Sequence, residues 1–250
     1  MNAQNETALE NRPAGMSEAS RIAGVFFEPQ KAFSDVAARP RWVVPLVLVI
    51  LVSLAVLLAF NQHVGWDRMI RRQFESNPRT AEMPATQRER ATQMAAKLAP
   101  AGAAGGVVLG IPIMDLVIAG VFLLILKVLL SIEIAFRQVW AIVCYAALPR
   151  LISGVLSIVV MFLKSPDDFD LKNPIGFNPG AYMDPETSSK FLYTLAGSLD
   201  FFSIWIILLM ATGIKAAAGR KLSFLGSLLV VVVPWAIFVL ARAAITAVFT

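Results

Sequence analysis

The stretch CYAALPRLISG, Cys144–Gly154, lies inside an apolar run that extends over Trp140–Leu163. A transmembrane helix needs roughly 20 consecutive, mostly apolar residues, and this run is long enough. Two of its residues are costly in such a helix, because Pro149 removes a helical hydrogen bond and Arg150 brings a charge into lipid. The stretch therefore predicts a membrane helix that is bent at Pro149 and whose charge needs a partner.

Apolar runs of similar length occur on both sides of this stretch. They lack the apolar–polar alternation of barrel strands, and helices satisfy their own backbone in lipid. The chain of 250 residues is 57% hydrophobic and 16% charged, whereas soluble domains average about 45–50% and about 25%. We predict an all-α integral membrane protein with a disordered polar N-terminus at 1–16 and a membrane domain at 17–250. Its five transmembrane helices are expected near 42–60, 106–130, 140–163, 195–214 and 225–249.

Two regions outside the spans also have helical patterns. Before the first span, Ser17 is suited to cap a helix and Pro29 to begin another. Phe26, Phe27 and Phe33 lie near basic residues there, which is typical of an amphipathic helix in the membrane interface. The alternative is a segment that packs on the cytoplasmic end of the bundle. In the first loop the predicted helices are Asn61–Glu75 and Pro84–Leu98.

Lysine and arginine near the span ends predict the orientation. They precede the first span and occupy the second and fourth loops, while the third loop is acidic. The first loop is basic as well, but long loops follow the rule less strictly. We expect a cytoplasmic N-terminus and a C-terminus on the outer side. The basic residues expected in the cytoplasm are Lys31, Arg39, Arg41, Lys127, Arg137, Lys215, Arg220 and Lys221.

Four ionisable residues lie within the predicted spans, namely Asp115, Arg150, Asp200 and Arg242. At a rise of about 1.5 Å per residue, their depths from the outer end run from about 7 to 20 Å. The two acids and two arginines are therefore able to meet in the outer half of the bundle. Three interpretations remain open: internal pairs that lock helices together, snorkelling of Asp200 and Arg242 to the interface, or a polar pocket or ion path.

Pro149 has a further predicted consequence. Its missing N–H leaves the carbonyl of Tyr145 without a helical partner. The guanidinium of Arg150, or a serine of a neighbouring helix, is the expected donor. We therefore add Tyr145 and Pro149 to the four charged residues as one intramembrane polar cluster.

No pattern in the chain indicates catalysis or a cofactor. The HExxH, GxSxG and GxxxxGK[ST] motifs are absent, and no paired carboxylates share a helix face. One cysteine, Cys144, and one histidine, His63, are too few for a cysteine-based zinc site or a histidine cluster. The net charge of +5 reflects basic loops, so no nucleic acid is expected as a partner.

Three segments resemble the Yip1 domain family in its short prokaryotic form. VFFEPQKAFSDVAARPRWVVPLV, Val25–Val47, resembles the family's entry into the first span. CYAALPRLI, Cys144–Ile152, resembles its Gly-Tyr-Ser-x-x-Pro element, with Tyr145 and Pro149 at the matching spacing. SLDFFSIWIILLMATGIKAAAGRKLSF, Ser198–Phe224, is similar to the fourth span and the basic turn after it. Together they cover most of residues 20–250.

This resemblance implies a five-span integral membrane protein with a cytoplasmic N-terminus, and the short form implies a bacterial inner membrane. The absence of catalytic motifs and the amphipathic entry segment favour a non-enzymatic membrane scaffold or adaptor, with a role in membrane organisation or trafficking-like processes. The expected partners are the bilayer and a second copy of the chain or another membrane protein. Eukaryotic members are linked to Rab-type GTPases, but their Asp-Leu-Tyr-Gly-Pro element is absent here, which puts such binding in doubt. The alternative function is a transporter or channel component that uses the intramembrane Asp/Arg cluster.

Overall fold

The structure is a computed structural model that describes residues 15–76, 80, 82–166, 169, 173–184 and 187–249. The predicted disorder of residues 1–16 falls almost entirely outside these residues. Within the described part all regular structure is helical, with no strand. The α-helices are α1 Glu18–Phe27, α2 Pro29–Ala38, α3 Val43–His63, α4 Trp66–Ser76, α5 Ala85–Gly105, α6 Ile111–Leu124, α7 Phe136–Ala146, α8 Pro149–Leu163, α9 Lys190–Ser198, α10 Phe201–Ala218 and α11 Phe224–Phe249.

Five helical segments are long and apolar enough to cross a membrane, which confirms the predicted fold class. The ends of these segments lie at two opposite ends of the bundle. We name the level of Trp42 and Trp140, whose rings stack at 3.9 Å, the entry end. The far end is the level of His63, whose Nε2 lies 3.2 Å from the carbonyl oxygen of Lys164. The five segments are Val43–His63, Ala85–Leu129, Phe136–Leu163, Phe201–Lys221 and Phe224–Val248.

The segment before the first span folds into a hairpin of α1 and α2. Ser17 accepts a hydrogen bond from the Ser20 N–H and Pro29 occupies the first turn of α2, which confirms both predicted helix starts. The apolar faces of the two helices are buried against α7 and α10. The hairpin is therefore part of the bundle, with a polar outer face.

The second span continues well beyond the membrane length. Its helix extends from Ala85 to Leu129 through two short π-helical turns, Gly106–Gly110 and Ile125–Leu129. The polar half, α5, pairs with α4 outside the spans, and Arg71 bridges the two helices by contacting Glu89 at 3.1 Å. The first loop thus forms one helical hairpin at the far end, but α4 begins at Trp66 and not at the predicted Asn61, because the first span continues to His63.

The third span breaks where the sequence predicts. Ala147 and Leu148 form a turn between α7 and α8, and Pro149 is the first residue of α8. Almost every side chain of the second half of α7 is buried, whereas α8 packs mainly along α3. Because of the break, α7 packs in the buried core while α8 packs along α3.

The fourth span is also interrupted, and its start differs from the predicted residue 195. Helix α9 ends at Ser198, and α10 begins at Phe201 after a two-residue break. The Phe201 N–H donates to the carbonyl of Phe177, at 3.1 Å, in the preceding loop. Asp200 caps α10 at this break, because its carboxylate accepts the N–H groups that begin the helix.

Candidate functional site

A buried ionic network fastens the hairpin to the bundle. The side chain of Arg21 is only 1% exposed and lies on the inner face of α1. Its guanidinium contacts Asp35 of α2 at 2.6 Å and Glu18 at 3.3 Å. Glu18 also accepts a hydrogen bond of 2.5 Å from the hydroxyl of Tyr145, which is fully buried on α7. We name Glu18, Arg21, Asp35 and Tyr145 the entry network.

The entry network holds its arginine in the charged form. Burial alone would lower the pKa of Arg21, but hydrogen bonds with Tyr145 and Asp35 and the charge of Asp35 outweigh it and raise the pKa above its usual value. Arg41 adds a weaker contact from outside, at 3.6 Å from Glu18, and is 68% exposed. Two acids therefore face two bases, of which Arg21 is buried and Arg41 is exposed.

The sequence interpretation included Tyr145 but not the other three members of this network. A signal was present, because Arg21 lies four residues before Val25, on the apolar face of α1. Asp35 similarly lies between Phe33 and Val36, both fully buried. A charge on the apolar face of each of two adjacent helices indicates a buried pair.

The structure brings Asp115 and Arg150 together. The Arg150 Nη1 atom lies 4.0 Å from the Asp115 Oδ1 atom, the outer limit of an ion pair. The side chain of Asp115 is 3% exposed, whereas that of Arg150 is 41% exposed. A buried carboxylate thus faces an arginine that also reaches the surface, at the break of the third span.

The Tyr145 carbonyl does not use the donor predicted for it. The N–H of Leu148, at 3.2 Å, replaces the bond that Pro149 cannot make. The turn at Ala147–Leu148 tightens the backbone, so the carbonyl is satisfied locally through a three-residue bond. Arg150 is consequently free to point toward Asp115.

Asp200 and Arg242 do not join this pair. The half-buried carboxylate of Asp200 accepts the N–H groups of Phe202 at 2.9 Å and Ser203 at 3.1 Å, and the Ser203 hydroxyl. Arg242 is exposed on α11. Of the four charged residues in the predicted cluster, only Asp115 and Arg150 are in contact with each other.

The three phenylalanines of the hairpin occupy different environments. Phe33 is fully buried and packs in the core with α7 and α10, as expected if the segment packs on the bundle. Phe26 is partly buried, and its ring lies edge-on to Trp205 at 5.7 Å. Phe27 is 84% exposed at the tip of the hairpin. A direct membrane contact therefore stays a prediction for Phe27 alone.

The described residues contain no group of three or more His, Cys, Asp or Glu side chains able to hold a metal ion. Cys144 is buried among apolar side chains of α7 and is a packing residue. At the two charged sites, the described residues make ion pairs and hydrogen bonds. Both sites connect helices that are distant in sequence.

Comparison with known proteins identifies a family. A family model for the Yip1 domain matches residues 23–245, most of the chain. The matched region includes Asp35, Asp115, Tyr145 and Arg150, while Glu18 and Arg21 precede it. No curated protein and no solved structure matches the chain.

Proposed function

Because the chain belongs to the Yip1 domain family, we propose that it is a non-enzymatic membrane adaptor whose entry hairpin presents a fixed surface to a partner. The partner is a second copy of the chain or another membrane protein. We place the protein in a bacterial inner membrane, with its hairpin in the cytoplasm and its C-terminus on the other side. Rab-type GTPases do not belong to this proposal.

The observation that carries the proposal is the entry network. A mobile amphipathic segment needs no buried arginine, whereas Arg21 is enclosed and bonded to two helices and, through Glu18, to Tyr145 of a third. Ordering a surface before binding removes an entropic cost that a flexible segment would have to meet during binding. A hairpin fixed to the spans in this way is suited to present the same face to every partner.

Site-specific photocrosslinking in native membranes tests the adaptor function. A photoreactive amino acid at Phe27, which is 84% exposed, should give a discrete protein adduct at native abundance. The same amino acid at Phe162, 54% exposed near the far end, is the matched control for random collisions in the membrane. The partner in the adduct is identified by mass spectrometry.

The second part of this experiment repeats the crosslinking in a variant that lacks the entry network. Arg21→Met should reduce the Phe27 adduct, because the hairpin surface loses its fixed position. The proposal fails if Phe27 and Phe162 give the same products, or if only monomer and lipid adducts form at Phe27.

A transporter or channel component is the second candidate, and the Asp115–Arg150 pair favours it. One partner is buried within a span and the other is exposed, which is unusual for a pair that only holds helices together. Liposomes containing the purified chain should then show a flux of ions or solutes that Arg150→Ala abolishes. Absence of flux across a broad panel would exclude this candidate.

A further inference from the structure

A polar cavity of about 200 Å³ lies beside the break in the fourth span. It is open on one side and is bordered by α8, by the loop before α9 and by the α9–α10 junction. The volume is far larger than a single water molecule requires. Its polar lining residues are Ser153, Ser157, Asn173, Asn178 and Asp200.

The carboxylate in this cavity has neutral partners. Asp200 accepts two backbone N–H groups and one hydroxyl, from Phe202 and Ser203. Among the described residues, no lysine or arginine pairs with it. The dipole of α10 compensates only about half of an elementary charge. Among the described groups, the charge of Asp200 is therefore only partly compensated.

The two serines of the lining present acceptors. The Ser157 hydroxyl donates to the Ser153 carbonyl at 2.7 Å, and the Ser153 hydroxyl donates to the Arg150 carbonyl at 3.1 Å. Each hydroxyl has then used its single proton, and its lone pairs are what it offers to a ligand. The amide of Asn178 is already engaged, because it donates to Asn173 at 2.9 Å and its oxygen accepts the Ala181 N–H at 3.0 Å. The carboxylate and the two serine hydroxyls are therefore the groups matched to a ligand that carries N–H donors and a positive charge.

Two aromatic side chains form part of the apolar lining, together with Pro174 and Ile175. The rings of Phe177 and Phe202 are nearly parallel, with their centroids 6.2 Å apart. Rings of this kind attract organic cations and pack against methylene groups. A lone metal ion fits less well, because it would leave most of this volume and the apolar wall unused.

We propose that this cavity binds a primary ammonium group, either of a free small amine or of a phosphoethanolamine lipid headgroup. The ammonium group forms an ion pair with Asp200 and donates to Ser153 and Ser157. Its carbon chain lies against Phe177 and Phe202. Ser157 is seven residues before Lys164, or about 10 Å below the far end, so the site lies within reach of headgroups on that side. This inference does not depend on the adaptor function.

Thermal unfolding of the full chain in phosphatidylcholine nanodiscs tests the site, with ethanolamine as the probe. The Tm of the wild type should rise with ethanolamine concentration. Asp200→Asn keeps the cap acceptor but removes the charge, because Asn and Asp are equivalent N-caps. It should weaken the apparent affinity about tenfold or more, the effect of losing roughly 1.4 kcal/mol. Glu133→Gln, the same charge change in an exposed loop, should respond like the wild type.

Further measurements distinguish a lipid headgroup from a free amine as the ligand, and both of these from effects of salt or of other cations. In phosphatidylethanolamine nanodiscs, a lipid-binding site gives a higher starting Tm and a weaker response to ethanolamine, whereas a site for free amines responds unchanged. The proposal is overturned if the wild type does not respond, or if Asp200→Asn responds equally. Equal shifts with sodium chloride or choline also overturn it. If Asp200→Asn fails to fold, Ser157→Leu fills the cavity without touching the cap and must abolish the response.

Discussion

Arg21 sets the position of the hairpin because its charge has no route to water. The side chain is 1% exposed, so its favourable interactions all come from protein groups. Removing one partner of such a pair is far more costly than the pair's net contribution, and the acids left behind, Asp35 and Glu18, are only 14% and 25% exposed. The residue therefore contributes to the position of the hairpin alongside its buried apolar neighbours Val25 and Phe33.

Arg21→Met should lower the free energy of unfolding by about 3–5 kcal/mol, since Asp35 and Glu18 keep their charges without the buried base. Arg41→Met is the matched control. Arg41 contacts the same Glu18 but is 68% exposed, so its loss should cost no more than about 1 kcal/mol. Denaturant titration in mixed micelles measures both variants. Equal losses for the two arginines would contradict the buried role of Arg21.

Two double-mutant cycles test the contact between Arg150 and Asp115. The second cycle replaces Asp115 with Asp200 and is the comparison. Arg150→Leu and Asp115→Asn should be non-additive by about 0.5–1.5 kcal/mol, the lower part of the range for contacting residues, because Arg150 is 41% exposed. Arg150→Leu with Asp200→Asn should be additive within about 0.5 kcal/mol, because the two are not in contact. Thermal and denaturant unfolding in detergent supply the energies. Additivity in the first cycle would exclude the pair.

At the residue scale, the sequence identifies charges in the spans but not their partners. Depth along a helix is countable, so Asp115 and Arg150 could be matched before the fold was known. Depth says nothing about the direction of a side chain, and Asp200 turns back to cap its own helix. Arg21 and Asp35 were missed for a different reason, because a charge outside a span is ordinarily assumed to face water.

At the element scale, helix packing depends on a glycine where three helices meet. A Cβ atom built on Gly213 of α10 would lie 2.4 Å from the Ile142 side chain of α7 and 2.9 Å from Phe33 of α2. These distances are too short for real contacts, and both neighbours are fully buried. The close approach of α2, α7 and α10 therefore requires that Gly213 has no side chain.

Gly213→Ala should lower the free energy of unfolding by about 1–2 kcal/mol, because overpacking exceeds the helix propensity gained by alanine. Gly120→Ala is the control, since nothing lies within 4 Å of a Cβ atom at that position in α6. That change should be neutral or stabilise by up to about 1 kcal/mol. Both are measured in the same detergent. A neutral Gly213→Ala would show that the three helices can separate without loss.

Helix breaks explain where the predicted elements and the observed ones differ. The break at Pro149 could be predicted because proline lacks an N–H and cannot continue the hydrogen-bond ladder. The break at Leu199–Asp200 contains no proline, and Gly197 just before it is a weaker signal; the Phe201 N–H that follows the break donates to the Phe177 carbonyl of a separate loop. The helix predicted at Pro84–Leu98 was expected to end before the second span, whereas the structure joins α5 to that span in one helical segment from Ala85 to Leu129.

For the whole molecule, orientation depends on which basic residues lie next to the spans. At the entry end, Arg41 adjoins the first span, and Arg220 and Lys221 lie between the last two. At the far end, the basic residues of the first loop belong to a folded helical hairpin, where Arg71 pairs with Glu89. The rule of positive residues in the cytoplasm is strongest for short loops, which here are at the entry end.

Cysteine labelling should therefore show the hairpin in the cytoplasm and the third loop outside. In a Cys144→Ala background, Tyr182→Cys, at a position 87% exposed, should react with an impermeant maleimide in intact spheroplasts. Ala19→Cys, on the exposed face of α1, should react only after permeabilisation. Tyr182 and Ala19 lie in segments at opposite ends of the bundle, so each variant is the control for the other. If only Ala19→Cys is labelled in intact spheroplasts, the orientation is the opposite of the predicted one. The entry hairpin would then be a surface for partners outside the cytoplasm.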